Sequence, residues 1–201
     1  MKTLTAVTKL FEKYESVWDV ESYYGLLAIW ALAEEAVEAQ DSRQLEKCKS
    51  LLSLYPDRIR HPDYNFEVYR VGGNGKAWLL YRGLFDGEKE NVRKYAEITL
   101  KSDRDEEGIV CLKKDGRMLS WIDIAACVSP YMLYAGLALE NPVYIDFAAE
   151  QTIGMYERFL DRSCGLLHQA KGFFEDPDRI STDHWGRGNA WGYFALTVLV
   201  R

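Results

Sequence analysis

Apolar residues recur at helical spacing along most of the chain. In residues 21–40, ESYYGLLAIWALAEEAVEAQ, positions Tyr24, Leu27, Ala28, Ala31, Leu32 and Ala36 share one face, which predicts an amphipathic helix. Asp41 and Ser42 interrupt it, and either can cap the next helix, predicted over 43–54 and halted before Pro56. A third helix is predicted over 75–85 and a fourth over 89–100, with Asp86-Gly87 as the turn between them. Residues 121–139 and 142–160 read as a further pair, with Asn141-Pro142 as punctuation and Pro142 suited to a first helical turn. A last helix begins near Gly188 and runs to the terminus. Longer Gly- and Asp-rich stretches lie at 56–73, 102–120 and 161–187, and the short apolar runs 108–112 and 165–168 suit small β pairings.

Helix pairs with alternating short and long connections predict an all-α fold, an α/α toroid or an α-solenoid. No strict period or repeat consensus supports the repeat-array form. No low-complexity linker divides the chain, so residues 1–201 are expected to form a single domain. The closing segment WGYFALTVLVR is an apolar helix with nothing after it to cover it.

Composition narrows the partners. Lys and Arg number 25 against 31 Asp and Glu, a net charge of −6 with no basic run, which argues against nucleic acid as the main partner. Six Trp and thirteen Tyr exceed the needs of an ordinary core and suit a site for rings or sugars. Cys48, Cys111, Cys127 and Cys164 form no CxxC pair, so neither a zinc knuckle nor a redox dithiol is indicated. No stretch is apolar for long enough to span a bilayer and the N-terminus lacks a secretory pattern, so a cytoplasmic, reduced protein without a membrane partner is expected.

The candidate chemistry is concentrated in the second half. The cluster Gly72 to Lys76, GGNGK, fails the phosphate-loop pattern, because Arg70 and Ala77 stand where Gly and Ser or Thr are needed; it reads as a loop entering a helix. His61, His168 and His184 are far apart and without metal spacing. His168, after the turn Ser163-Cys164-Gly165, is open between a structural and a functional role. Asp123 lies among Trp121, Ile122, Ile124, Ala125 and Ala126; a carboxylate there either caps a helix or is raised in pKa as an acid. Trp185 and Trp191 flank Arg187, and a charge packed between indoles needs a partner if it is buried.

Three motifs then coincide. Trp185 to Trp191, WGRGNAW, resembles the WxRGNGW motif of the unsaturated rhamnogalacturonyl hydrolases, glycoside hydrolase family 105, relatives of the unsaturated glucuronyl hydrolases of family 88. Trp121-Ile122-Asp123, with Pro130-Tyr131 following, resembles that family's WxDxxxxxxPF stretch, and Gly165 to Ala170, GLLHQA, its GLxxHG stretch. Ala190 stands where the first motif has its last Gly, and Arg70 where the family has a second aspartate.

The resemblance implies an (α/α)6 toroid of helical hairpins with its active site at a mouth built from the longer loops. Family members are nearly twice as long, so only part of the toroid, incomplete at the C-terminus, is expected. It implies hydration of the enol ether in a 4,5-unsaturated uronic acid at the non-reducing end of lyase-generated oligosaccharides. By position Asp123 is the proton donor and water activator, and Trp121, His168, Trp185, Arg187 and Trp191 bind the unsaturated sugar. The reaction needs no metal or cofactor. An inactive or sugar-binding relative and a helical interaction module are the alternatives. An open toroid is further expected to expose Leu196, Val198 and Leu199 on the last helix and Leu26, Ile29 and Trp30 on an early one, and either to self-associate through those flanks or to be a piece of a longer protein.

Overall fold

A computed structural model describes residues 23–55 and 75–200. His61, Arg70 and residues 72–74, singled out above, lie outside them. Seven α-helices are present among the described residues: α1 (Tyr23–Glu38), α2 (Ser42–Leu52), α3 (Lys76–Tyr81), α4 (Lys89–Leu100), α5 (Asp123–Leu139), α6 (Pro142–Phe159) and α7 (Gly186–Leu199). They form antiparallel hairpins with short connections, and no described helix is long and apolar enough to cross a membrane.

The hairpin turns follow from local chemistry. The Asp41 side chain caps α2 by accepting the Gln44 amide. The Gln44 side chain then donates to the Leu32 carbonyl at 2.9 Å, which locks α2 onto α1. Helix α3 is shorter than the predicted 75–85, because Gly83 at φ +68 turns the chain and the Leu84 amide reaches back to Leu79 O. Asn141 caps α6 by accepting the Val143 amide, and Pro142 occupies the first turn, as its fixed φ favours. A Cβ on Gly136 would lie 2.5 Å from Ile145 Cγ1, so glycine permits the close α5–α6 approach.

Helix α5 is the hub. It packs on α3, α4, α6 and α7, and every residue from Asp123 to Met132 is buried. A helix apolar all round belongs at the centre of a bundle. It begins at Asp123 rather than at 121, since Trp121 still belongs to a strand, and it runs through Pro130.

The expected exposed flanks are largely absent. Leu26 and Ile29 are 1% exposed, Trp30 and Val198 only 4%, while Leu196 and Leu199 are half-buried. Trp30 is covered because its ring meets Tyr134 and Phe194 edge-on, at 5.8 Å each, and Gly75 lies flat against it. Trp30 of the first helix thus packs against one residue of α5 and one of α7 instead of lying open.

Small sheets occupy the long connections. β1 (Leu112–Lys114) and β2 (Arg117–Trp121) form a hairpin, and β5 (Ala170–Lys171) adds antiparallel to β2 with Trp121 opposite Ala170. The β1–β2 turn is Asp115-Gly116, with φ +51 and +76, as a two-residue hairpin turn demands. β3 (Leu160–Asp161) pairs with β4 (Leu166–Leu167). The pairing predicted at 165–168 is therefore present, whereas in 108–112 only a single bridge at Val110 precedes β1.

Candidate functional site

Strand β2 and helix α5 meet at Trp121-Ile122-Asp123. The Ile122 amide donates to Gln169 O at 3.0 Å, which fixes the junction against the strand that follows His168. On the other side Ile122 meets α7 at two of its three glycines. A Cβ on Gly188 or Gly192 would lie 2.9 Å from the Ile122 side chain, and on Gly192 also 2.4 Å from Leu167. The glycines of the α7 motif therefore let its first two turns lie directly on the residue before Asp123. From behind, buried Arg158 of α6 holds β2: its guanidinium forks onto Asp105 at 2.6 and 3.1 Å and donates to Ser120 Oγ at 3.1 Å.

Asp123 itself is 7% exposed. It is the first residue of α5, not its N-cap, and its Oδ2 is buried with no hydrogen-bond partner among the described residues. Burial pushes its carboxyl up to about 6, against the opposing pull of its own backbone amide and the positive charge of Arg187.

The start of α7 carries the aromatic and cationic groups. Arg187 is exposed rather than buried, and its guanidinium stacks over the Trp185 ring at 4.2 Å from the centroid. The exposed position removes the need for a buried counter-charge. Trp191 is four residues further along, on the same helical face as Arg187. Buried Asn189 ties this turn to β4: it accepts the Leu167 amide at 2.7 Å and donates to Leu167 O and Trp185 O. Trp121, half-buried, meets Phe173 edge-on at 5.8 Å.

His168 faces a neighbour that the sequence separated from it by sixteen residues. Its ring stacks on His184 with centroids 4.6 Å apart and planes 26° from parallel. Its amide donates to Phe159 O at 2.7 Å, and its buried Nδ1 has no partner among the described residues. Both imidazoles turn toward Asp161: His184 Nε2 is 3.1 Å and His168 Nε2 4.0 Å from its Oδ2. Hydrogen bonds from the Ser163 hydroxyl and amide hold the Asp161 carboxyl down at about 2, with His184 adding to the effect. Cys164 Sγ lies 3.9 Å from His184 Nε2.

The structure thus brings Asp123, Arg187 and Trp185 to one junction, with Trp121 and His168 on the two paired segments beside it. His184, Gln169, Asn189 and Phe173 were not picked out from sequence. Gln169 and Asn189 lie within the GLLHQA and WGRGNAW motifs, and His184 directly precedes the second of them.

The model of Glycosyl Hydrolase Family 88 matches residues 4–201. A glycoside hydrolase from family 105 of C. acetobutylicum ATCC 824 is similar in fold, with a TM-score of 0.72 at 17% identity; the match covers 95% of this chain and 56% of that one. A possible member of the GH105 family from Klebsiella pneumoniae subsp. pneumoniae MGH 78578 matches at a TM-score of 0.70 and 16% identity, over 90% of this chain and 53% of that one. One from Salmonella enterica serovar Paratyphi A matches at 0.70 and 13%, over 89% and 53%. At these identities the likeness concerns fold: the helical hairpins are part of an (α/α)6 toroid, and the chain spans about half the length of these structures. No curated protein matches the chain.

Proposed function

The chain belongs to Glycosyl Hydrolase Family 88, and from that premise we propose that it hydrates the enol ether of a 4,5-unsaturated uronic acid at the non-reducing end of lyase-generated oligosaccharides. The observation that carries this reading is Asp123, a buried carboxyl raised to about 6 with an oxygen left unpartnered among the described residues. A general acid works best with a pKa near the operating pH, and an apolar setting supplies that shift.

In the proposed reaction Asp123 delivers its proton to C4, and positive charge develops at C5 and the ring oxygen. Water adds to C5 and gives its proton to the Asp123 carboxylate, which restores the acid. The hemiketal opens by breaking the bond between C5 and the ring oxygen, and the hemiacetal left at C1 expels the neighbouring sugar. One carboxyl therefore serves in both directions, unlike the paired carboxylates of ordinary glycosidases. Arg187, exposed yet close enough to bias Asp123 electrostatically, receives the uronate carboxylate through its planar fork. Trp121, Trp185, Trp191 and His168 offer flat faces to the sugar; one face of Trp185 is already taken by Arg187.

The test is incubation with unsaturated uronide disaccharides while following the ultraviolet absorbance of the enol ether. Loss of absorbance with stoichiometric release of the second sugar is expected. Saturable binding without loss would support a sugar-binding relative instead, and neither outcome would leave a helical interaction module.

A further inference from the structure

Outside the chemistry just described, the turn between β3 and β4 carries a second cluster. Asp161 Oδ2, Cys164 Sγ and His184 Nε2 all lie within 4.8 Å of one another. We propose that these three side chains form a zinc-class metal site that pins the β3–β4 turn to the segment entering α7.

The geometry suits a tetrahedral ion. Zinc bonds of about 2.0–2.2 Å to oxygen and nitrogen and about 2.3 Å to sulfur set neighbouring ligand atoms roughly 3.3–3.6 Å apart. The present separations, 3.1 Å for His184 Nε2 to Asp161 Oδ2 and 3.9 Å for Cys164 Sγ to His184 Nε2, bracket that range, so small side-chain rotations complete the set. The turn is already shaped for it. Gly165 at φ +74 closes onto Asp161, its amide donating to Asp161 O at 2.8 Å. Ser163 occupies Asp161 Oδ1 through both its amide and its hydroxyl, which leaves Oδ2 facing the cluster. Two ligands come from one turn, Asp161 and Cys164, and the third from a segment twenty residues beyond Cys164, the pattern of a clip that ties two loops.

A mixed carboxylate, thiolate and imidazole set selects zinc over calcium or magnesium, which prefer oxygen alone. With the thiolate and carboxylate ionised and the imidazole neutral, the set balances a divalent ion in charge. Binding releases the Cys164 proton, and coordination through Nε2 leaves the remaining His184 proton on Nδ1. Solvent completes the fourth position, and His168 stays stacked on His184. The Cys164 thiol already hydrogen-bonds Asp161 and lies beside His184, so the three ligand atoms converge before any ion binds. His184 precedes Trp185 directly and Arg187 by three residues, so the ion positions the start of α7 without touching substrate.

The test uses the full chain stripped with chelator, titrated with zinc by calorimetry and with cobalt(II) by absorption. One equivalent is expected to bind, with proton release and a thiolate-to-cobalt charge-transfer band. Cys164 is exposed while Cys48, Cys111 and Cys127 are buried, so that band reports Cys164. Cys164→Ser should abolish the band, and both Cys164→Ser and His184→Gln should weaken zinc by roughly tenfold or more, while Cys111→Ser changes neither measurement. In the unmodified chain, zinc should slow alkylation of Cys164. Absence of the band, unchanged affinity in both variants, or alkylation indifferent to zinc would each overturn the proposal, the last without requiring any variant to fold.

Discussion

Two aspartates lie at segment junctions less than forty residues apart in sequence and are driven in opposite directions. Asp123, at the β2–α5 junction, is buried, and desolvation lifts its carboxyl to about 6. Asp161, in the β3–β4 turn, receives two hydrogen bonds from Ser163 and is held at about 2. The same side chain becomes a proton donor in one place and a fixed anion in the other. The difference is burial against hydrogen bonding: desolvation dominates at Asp123, where its own backbone amide only partly offsets it, whereas Asp161 is held down by two hydrogen bonds from Ser163.

The largest effect should come from removing the raised carboxyl. Asp123→Asn is expected to lower turnover by about 10²–10⁴-fold while leaving affinity for an unsaturated uronide nearly unchanged. Enol-ether absorbance and calorimetry on the same samples check both halves, and normal turnover would remove Asp123 from the mechanism.

The same substitution should alter stability with a defined sign. A carboxyl raised from 3.8 to about 6 binds its proton more tightly when folded. Its favourable contribution is complete below about pH 4 and lost as pH rises through 6, at a cost of roughly 3 kcal/mol or less. Urea unfolding of the wild type and Asp123→Asn should therefore diverge between pH 4 and 7, the variant gaining on the wild type. Turnover should fall along the same limb, because the proton donor is being lost. Parallel unfolding curves at both pH values would contradict the raised carboxyl.

Packing around the junction is the next target. Gly192→Ala puts a methyl 2.4 Å from Leu167 and 2.9 Å from Ile122. A destabilisation of about 1–3 kcal/mol is expected, read as a lowered denaturation midpoint, and Gly186→Ala, with open space around its Cβ, serves as the control.

Smaller effects separate the two carboxyls. Arg187 opposes the rise at Asp123, so Arg187→Gln should move the alkaline limb of turnover to higher pH while weakening uronide binding by roughly tenfold. In the wild type the free uronide should bind more tightly than its methyl ester; equal affinities would show that no carboxylate is read. Asp161→Asn should leave the midpoint of that limb in place, since it is Arg187, not Asp161, whose charge bears on Asp123. A midpoint that moved with Asp161→Asn would mean that the two carboxyls are coupled.

Much of this architecture follows from local signals. The helix over 89–100 is found at those limits, and Asp41, Asn141 and Pro142 do the capping that their chemistry foretells. Helix α3 stops early because Gly83 takes a left-handed conformation, a glycine present in the sequence but passed over. The Asp115-Gly116 turn was an equally legible hairpin signal, and it would have moved the predicted strand from 108–112 to β1.

Most helices, their hairpin order and the motif residues Trp121, Asp123, His168, Trp185, Arg187 and Trp191 are legible along the chain, because capping, periodicity and short motifs are encoded within a few residues of one another. Which faces are covered and which groups meet emerges only in three dimensions. Trp30 is buried through Tyr134 and Phe194, more than a hundred residues away, and no local pattern reports such a contact. His168 and His184 stack because β4 and the start of α7 are clasped by Asn189, and Asp161 and Cys164 join them across the same clasp. Burial and pKa belong to that level too, since both depend on the sum of surroundings brought from several elements rather than on the residue that titrates.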